Sequence, residues 1–272
     1  MSATLTGIVI ARNEAAMIAN CVDTLRFCDE ILLINNGSTD ETEKIAENMG
    51  VRVINLGSDD FAKLRNEGLK RAKTDWVIYI DADERVTPEL AAEIKVNIET
   101  STAPVFSFYR QNYCYGNLLN RGGFGKDLVT RVFKREILSK WQGKIHESPV
   151  FTGEAKVLTQ KLIHLTHRST QENLHKSAEW TLKEAELLYE AKVPPVTLLT
   201  LLRKFTMELL RRAIFKRGYQ DGMTGWVEAI VQGMNRVMVY LQVWELQARP
   251  NIKDKYEAVE KELARRWKNS KI

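Results

Sequence analysis

The sequence has little cysteine, no long apolar run and none of the glycine-rich phosphate signatures, and each shortage removes a class of protein. Its three cysteines, Cys21, Cys28 and Cys114, are odd in number and lack metal-ligand or redox spacing. They read as structural thiols of a reducing compartment. No uninterrupted apolar stretch approaches the roughly 20 residues a spanning helix needs. No basic segment with an apolar core precedes the strand pattern at Leu5, so a cytoplasmic chain without a secretory signal is expected. No Gly-x-Gly-x-x-Gly follows the first strand and no Gly-Lys-Ser/Thr loop occurs, which argues against dinucleotide oxidoreductases and phosphate-loop NTPases. Internal repeats and low-complexity tracts are also missing. A net charge of +5 and a pI near 9.0 permit an anionic substrate, an anionic membrane surface or nucleic acid without choosing among them. At 272 residues the chain fits one large α/β domain, alone or with a helical annex.

What is present is organised around Thr74-Asp75-Trp76-Val77-Ile78-Tyr79-Ile80-Asp81-Ala82-Asp83-Glu84. An apolar strand runs here into two carboxylates separated by one small residue. In an extended chain Asp81 and Asp83 point the same way, because side chains alternate faces. Two hard oxygen ligands on one side suit Mg2+ or Mn2+, ions that complete their shell with water and substrate phosphates, so the pair implies a diphosphate partner. Acidic residues after a strand are more often solvated turn residues, and the pair alone does not establish a metal site.

Strand patterns at 5–10, 31–34, 51–54 and 76–80 alternate with helix patterns, the first carrying Met17, Ile18, Cys21, Val22 and Leu25 and the third covering 61–72. Continuous apolar strands alternating with amphipathic helices imply a mostly parallel sheet with helices on both faces, which binds ligands at the carboxyl ends of its strands. Asn13 is placed to cap the first helix. Ser38 and Glu41 stand at capping-box spacing before the second, and Gly50 stops it. Thr87-Pro88-Glu89 starts a helix reaching about residue 98.

Shorter strand patterns follow at 105–110, 129–133, 145–150 and 161–165, separated by glycine-rich turns such as Arg121-Gly122-Gly123-Phe124-Gly125. This half also holds His146-Glu147, His164 and His167. Beyond Ser169 the pattern is helical, over 171–190, 196–216 and 226–247, with a break at 218–225 and a charged tail after Pro250. The domain reading is an α/β domain at 1–168, its first half at 1–100 and its second at 101–168, followed by a helical annex at 169–272. In the second annex helix Leu198, Leu201, Leu202, Phe205 and Leu209 share one face, with Arg203, Lys204 and Arg211 opposite. That pattern fits a packed helix with a solvated basic face as well as a membrane-surface helix.

Ile10-Ala11-Arg12-Asn13-Glu14, Asn36-Gly37-Ser38-Thr39-Asp40-Glu41-Thr42, Lys63-x-Arg65-Asn66, Asp81-Ala82-Asp83-Glu84-Arg85 and His146-Glu147 near Gly143 occur in an order that resembles the family 2 glycosyltransferases of the GT-A fold. The resemblance is nearest to small bacterial lipopolysaccharide-core β-glucosyltransferases. Leu210-Arg211-Arg212, Gly218-Tyr219-x-Asp221-Gly222 and Trp226 resemble that subgroup's helical annex. The resemblance implies an inverting transfer of a hexose from a nucleotide diphosphate sugar, UDP-linked, to a hydroxyl of a glycan or glycolipid acceptor, with Mn2+ or Mg2+ as cofactor. It also implies a peripheral place on the inner face of the cytoplasmic membrane and no nucleic-acid partner.

Carried over by position, the resemblance puts Ala11, Asn13 and Glu14 along the nucleotide, Asp40 and Lys63 or Arg65 near the base and phosphates, and Asp81 near the ribose and metal. Asp83 ligates the cation, and His164 is a further metal or phosphate ligand. Glu147 is the general base, with Asp127 in reserve; a salt-bridged structural carboxylate is the competing role for Glu147. Asn35 stands where many relatives carry an aspartate that accepts a hydrogen bond from uracil; an amide oxygen can accept the same bond or relax the choice of base. The competing functions are a metal-dependent nucleotidylyltransferase, whose glycine-rich loop after the first strand is missing, and a non-catalytic sugar-nucleotide-binding membrane protein.

Overall fold

The computed structural model describes residues 2–143 and 147–270, apart from the side chain of Glu179. The chain forms two compact units, Met1–Thr166 and His167–Ile272. In the first, β1 (Leu5–Ala11), α1 (Ala15–Asp23), β2 (Glu30–Asn35), α2 (Thr42–Asn48), β3 (Arg52–Asn55), α3 (Phe61–Arg71) and β4 (Trp76–Asp81) alternate as the apolar pattern requires. After them come β5 (Glu84–Arg85), α4 (Pro88–Thr100), β6 (Val105–Cys114), β7 (Asn117–Leu119), β8 (Asp127–Lys134), β9 (Leu138–Gln142), β10 (Ser148–Phe151), β11 (Ala155–Val157) and β12 (Leu162–Thr166).

The main sheet runs β3-β2-β1-β4-β8-β6-β12-β5, and β7 and β11 also pair with β6. The first four strands in that order are parallel. β8 is antiparallel to both β4 and β6, so the sheet changes character where the glycine-rich half begins. Along β1 and β4, Val9, Ile78 and Ile80 enter a core with Ile18, Val22 and Ile94 from α1 and α4. Ile8, Ile10, Val77 and Tyr79 enter another with Leu64 of α3 and Trp141 of β9. Alternation therefore buries both faces of these strands. A separate hairpin, β9–β10, lies outside the main sheet.

Several local expectations are corrected. Residues 82 and 83 form a turn between β4 and β5, so strand alternation does not set the directions of Asp81 and Asp83. Asn13 has a left-handed φ of 56° and does not cap α1. The Ser38/Glu41 capping box is not made, because α2 begins at Thr42 and the Ser38 hydroxyl accepts the Asn13 N–H. Of the expected strand at 145–150, residues 145 and 146 lie outside the described residues.

The second unit contains α5 (Thr170–Glu190), α6 (Leu198–Leu210), a π-helical turn (Arg211–Phe215), a 3-10 turn (Gly218–Asp221), α7 (Gly222–Gln247) and α8 (Ile252–Lys268). The expected break at 218–225 is shorter because Gly225 serves a close approach: a Cβ there would lie 1.9 Å from the Gly218 carbonyl oxygen. The tail after Pro250 is helical, capped by Asn251, whose Oδ1 accepts the Asp254 N–H at 2.8 Å. Its helical signal was hidden among charges. Leu201 and Phe205 of α6 face the core and α7, whereas Leu198 and Leu202 are exposed, against the single apolar face expected for that helix.

Gly68 fixes how α3 lies on the sheet, since a Cβ there would meet Cγ2 of buried Ile8 at 2.6 Å. Helix propensity favours alanine by about 1 kcal/mol, but overpacking a closed core costs about 1–3 kcal/mol. Gly68→Ala is therefore expected to lower the thermal midpoint, and an unchanged or higher midpoint in a melting experiment would show that α3 is not clamped there.

Candidate active site

The parallel strands end together at Ala11, Asn35 and Asp81, and the loops beyond them are laced to each other. Asn13 Oδ1 accepts the Thr39 N–H at 2.7 Å, the Thr42 hydroxyl accepts the Glu14 N–H at 2.8 Å, and Asp40 Oδ2 accepts the Ala15 N–H at 3.0 Å. Asp40 thus satisfies an amide at the start of α1 from across the loop. Slight desolvation raises its pKa, but hydrogen bonds from the Thr42 hydroxyl and the Ala15 and Thr42 amides hold it below the usual carboxylate range. Buried Asn35 accepts the Ser38 N–H at 3.1 Å and donates to Asn55 and Glu43 at 2.7 and 3.2 Å.

Asp81, at the end of β4, lies between two guanidinium groups. Oδ1 accepts from Arg65 at 3.1 Å and Oδ2 from Arg131 at 2.7 Å. Arg131 reaches it because β8 bulges there. Phe106 pairs with Val132 and Ser107 with Thr130, which leaves Arg131 as the extra residue. Glu84, fully buried, accepts the Asp81 N–H at 2.9 Å, Arg110 at 3.0 Å and Arg131 at 3.4 Å. Burial opposes ionisation of Asp81, but Arg131, Arg65 and Arg110 outweigh it and hold the carboxyl far below its ordinary pKa.

From Arg110 the network continues to Asp127 Oδ2 at 2.8 Å, which also accepts from Asn112 Nδ2 at 3.1 Å. Asn112 donates to the Phe124 carbonyl at 3.1 Å as well, so its Oδ1 faces His164 Nδ1, 2.6 Å away. An amide oxygen only accepts; Nδ1 therefore carries the proton, and a neutral His164 presents the Nε2 lone pair on its other side. That nitrogen is 3.6 Å from Asp83 Oδ2. Strand register explains the meeting, with β12 placing His164 beside Asn112 of β6 and Glu84 of β5. Hydrogen bonds and ion pairs thus connect Asp81 to His164 by way of the opposite sheet edge, and Asp83 lies beside the far side of that ring.

Arg65 also holds Glu147, whose Oε1 accepts from Nε at 3.0 Å and pairs with the positive charge at Nη2, also 3.0 Å away. Its guanidinium carbon lies 4.8 Å from the Trp141 ring centroid and 5.7 Å from that of Tyr79. The cation is fixed by aromatic faces as well as by carboxylates. Asn66 locks β9 into this arrangement, donating to the Trp141 carbonyl at 2.9 Å and accepting its N–H at 2.8 Å.

The family described as Glycosyl transferase family 2 matches residues 6–154, more than half of the 272-residue chain. The chain belongs to that family. It is similar to the lipopolysaccharide core biosynthesis glycosyltransferase LpsC of Rhizobium meliloti, 26% identical over 271 residues that cover 92% of this chain and 96% of that protein. An uncharacterized glycosyltransferase of Rickettsia prowazekii is 23% identical, covering 90% of this chain and 88% of that one. A TPR repeat-containing protein of Synechococcus elongatus is 26% identical over 141 residues, and there the match spans 51% of this chain and only 34% of the larger protein. Among solved structures, glucosyl-3-phosphoglycerate synthase from Mycobacterium tuberculosis, in complex with Mn2+, UDP and glucosyl-3-phosphoglycerate, is 23% identical with a TM-score of 0.35. That match covers 40% of this chain and 44% of the other.

Within this glycosyltransferase the expected site residues divide. Asp81, Arg65 and Glu147 come together, as do Asp83 and His164. Lys63 is exposed, and its backbone amide caps α3 onto Asp60, so Arg65 is the member of that motif in the charged cluster. Ala11 is buried at the strand end; Asn13, Asp40 and Asn35 brace the loops. Asp127 is held below the usual range because hydrogen bonding and charge from Arg110, with Asn112 and His164, overcome its burial. His146 lies outside the described residues. Arg131, Arg110, Glu84, Asn112 and Asn66 received no role from the sequence. An arginine inside the apolar run Val129-Thr130-Arg131-Val132-Phe133 was the available signal, because a buried charge needs a partner.

Replacing Arg131 by methionine removes one cation from two inward carboxylates, and breaking a buried pair costs about 3–5 kcal/mol. Urea denaturation at neutral pH should show a loss of that order. The depressed Asp81 pKa contributes stability that is present above its unfolded value near 3.8 and lost as pH falls towards the folded value. The gap between wild type and Arg131→Met should therefore narrow below about pH 4; a gap independent of pH would mean that Arg131 does not hold the Asp81 charge.

Proposed function

We propose that this glycosyltransferase moves a hexose from a nucleoside diphosphate sugar, UDP-linked, to a hydroxyl of a glycan or lipid-linked glycan at the cytoplasmic face of a membrane, with inversion. The observation that carries the reading is the arrangement at the strand ends: Asp83 and His164 lie 3.6 Å apart, and Glu147 is tied through Arg65 to Asp81 on the same turn. The lipopolysaccharide role of the Rhizobium relative, which this chain matches over nearly its whole length, supports a glycolipid or lipopolysaccharide-type acceptor.

The donor set fits a divalent cation. Oδ2 of Asp83 is a hard oxygen ligand, and Nε2 of His164 faces it with its lone pair because Asn112 holds the proton on Nδ1. These two side chains would hold the ion, leaving the rest of its shell to water and the donor's phosphates. Asp81, already engaged by Arg65 and Arg131, sets the shape of the turn more than it offers an open ligand. When bound, Mn2+ or Mg2+ supplies positive charge for the departing diphosphate. The protein's share is positioning. The laced loops after β1 and β2 form the nucleotide cradle, and Asn35 acts on base choice through loop shape, its oxygen being engaged by Ser38. Glu147 takes the proton of the acceptor hydroxyl, and Arg65 fixes the carboxylate for that task.

Asp83→Asn should remove most turnover while leaving the melting temperature near wild type, and Glu147→Gln should lower transfer about 10²–10⁴-fold with donor binding retained. Asn112→Ala should weaken Mn2+ binding about 10–100-fold, as expected for loss of the group that orients a ligating imidazole. Calorimetry with UDP-sugars and Mn2+, paired with transfer assays, checks all three. A fully active Asp83→Asn, or loss of donor binding in Glu147→Gln, would contradict the assigned roles.

A further inference from the structure

The helical unit has a cavity of about 500 Å³ lined by Lys204, Met207, Glu208, Leu210, Arg211, Phe215 and Arg236. Its walls combine cations with apolar side chains. Phe215 is 79% exposed, Leu199 72% and Met207 60%, which is a large apolar surface for one helix and its following turn. The cationic excess is local. From Leu198 to Arg217 the sequence carries Arg203, Lys204, Arg211, Arg212, Lys216 and Arg217 against one acid, Glu208. That acid is already committed, accepting from Arg211 at 2.9 and 2.6 Å and from Arg212 at 2.6 Å. Burial, followed by repulsion from Arg211 and Arg212, lowers the Lys216 pKa, so the patch lies in a positive field that an anion would relieve. The π-helical turn contributes Arg211 and Phe215 to the cavity lining, and such insertions recur at functional sites.

We propose that α6 and the π-helical turn form a docking site for anionic phospholipid, headgroup phosphates lying on the cations and acyl chains against Met207, Leu210 and Phe215; Arg236 of α7, paired with Glu184, closes the cavity wall. Rows of cations beside exposed aliphatic and aromatic side chains match a leaflet in both respects. Nucleic acid would leave the apolar residues facing water. A second copy of the chain, related by a twofold axis, would set the cationic patch against itself. No helix among the described residues is long and apolar enough to cross a membrane, so the contact is with its surface. The inference rests on the transferase reading only for what the membrane supplies, a lipid-linked acceptor.

The test is sedimentation of the full chain with vesicles of phosphatidylcholine alone or mixed with phosphatidylglycerol, at low and high salt. Wild type should favour the anionic vesicles and detach as salt rises. The combined variant Lys204→Gln, Arg211→Gln, Lys216→Gln, Arg217→Gln should bind them about a hundredfold or more weakly; Glu208 retains Arg212, and circular dichroism checks the helices. A second variant, Leu199→Ser with Phe215→Ser, should also bind less while keeping the preference for negative charge. Equal binding to both vesicle types, unchanged binding by the charge variant, full displacement by inorganic phosphate, or a salt-stable dimer that ignores vesicles would each overturn the proposal. UDP-sugar binding measured without vesicles should be unchanged in both variants. Its absence in wild type would refute the donor assignment and leave the membrane result standing.

Discussion

Everything at the candidate site depends on how carboxylates are kept charged at the end of an apolar sheet. Glu84 is fully buried and Asp81 lies between arginines, so the turn that carries them exists only because Arg65, Arg110 and Arg131 converge on it. Isolated, those carboxylates would cost several kcal/mol each to bury. The arginines come from α3, β6 and β8, and the turn therefore fixes the relative positions of a helix of the parallel half and two strands of the irregular half. The same chain of contacts ends at Asn112 and His164, so the nitrogen facing Asp83 is oriented by the network that holds Asp81 in place.

This division of labour gives the acidic turn two dissimilar sides. Asp81 faces arginines and acts as an electrostatic keystone; Asp83 faces the imidazole of His164. The two carboxylates are separated by a single residue, yet burial and partners give them different chemistry. A similar economy governs Asn13, Asp40 and Asn35. In the fold they tie adjacent loops together, and in the proposed function those loops cradle the nucleotide.

The parallel half was legible because its strands are continuous apolar runs and its helices have clear period, and the motif residues Asp81 and Asp83 fall at and just beyond the carboxyl end of β4, where such sheets bind ligands. The second half was less readable. Its strands β7, β9 and β11 are short and have no strong pattern, and Arg131 reaches Asp81 only through a bulge that depends on pairing with β6. Asn112 and His164 are neighbours through the register of β6 and β12, a relation between residues 52 apart in sequence. In the helical unit, the leucines of α6 read as one apolar face open to packing or to a membrane surface, because periodicity identifies an apolar face without saying what covers it.

The central claim is that the charged network presents Asp83 and His164 together to one divalent cation. Electron spin echo modulation of Mn2+ bound with UDP tests it most directly, because an imidazole nitrogen bonded to the ion imprints its own coupling on the signal. Nitrogen modulation should be present in the wild type and disappear in His164→Ala. Bound Mn2+ without that modulation, or with modulation that survives the substitution, would contradict the account.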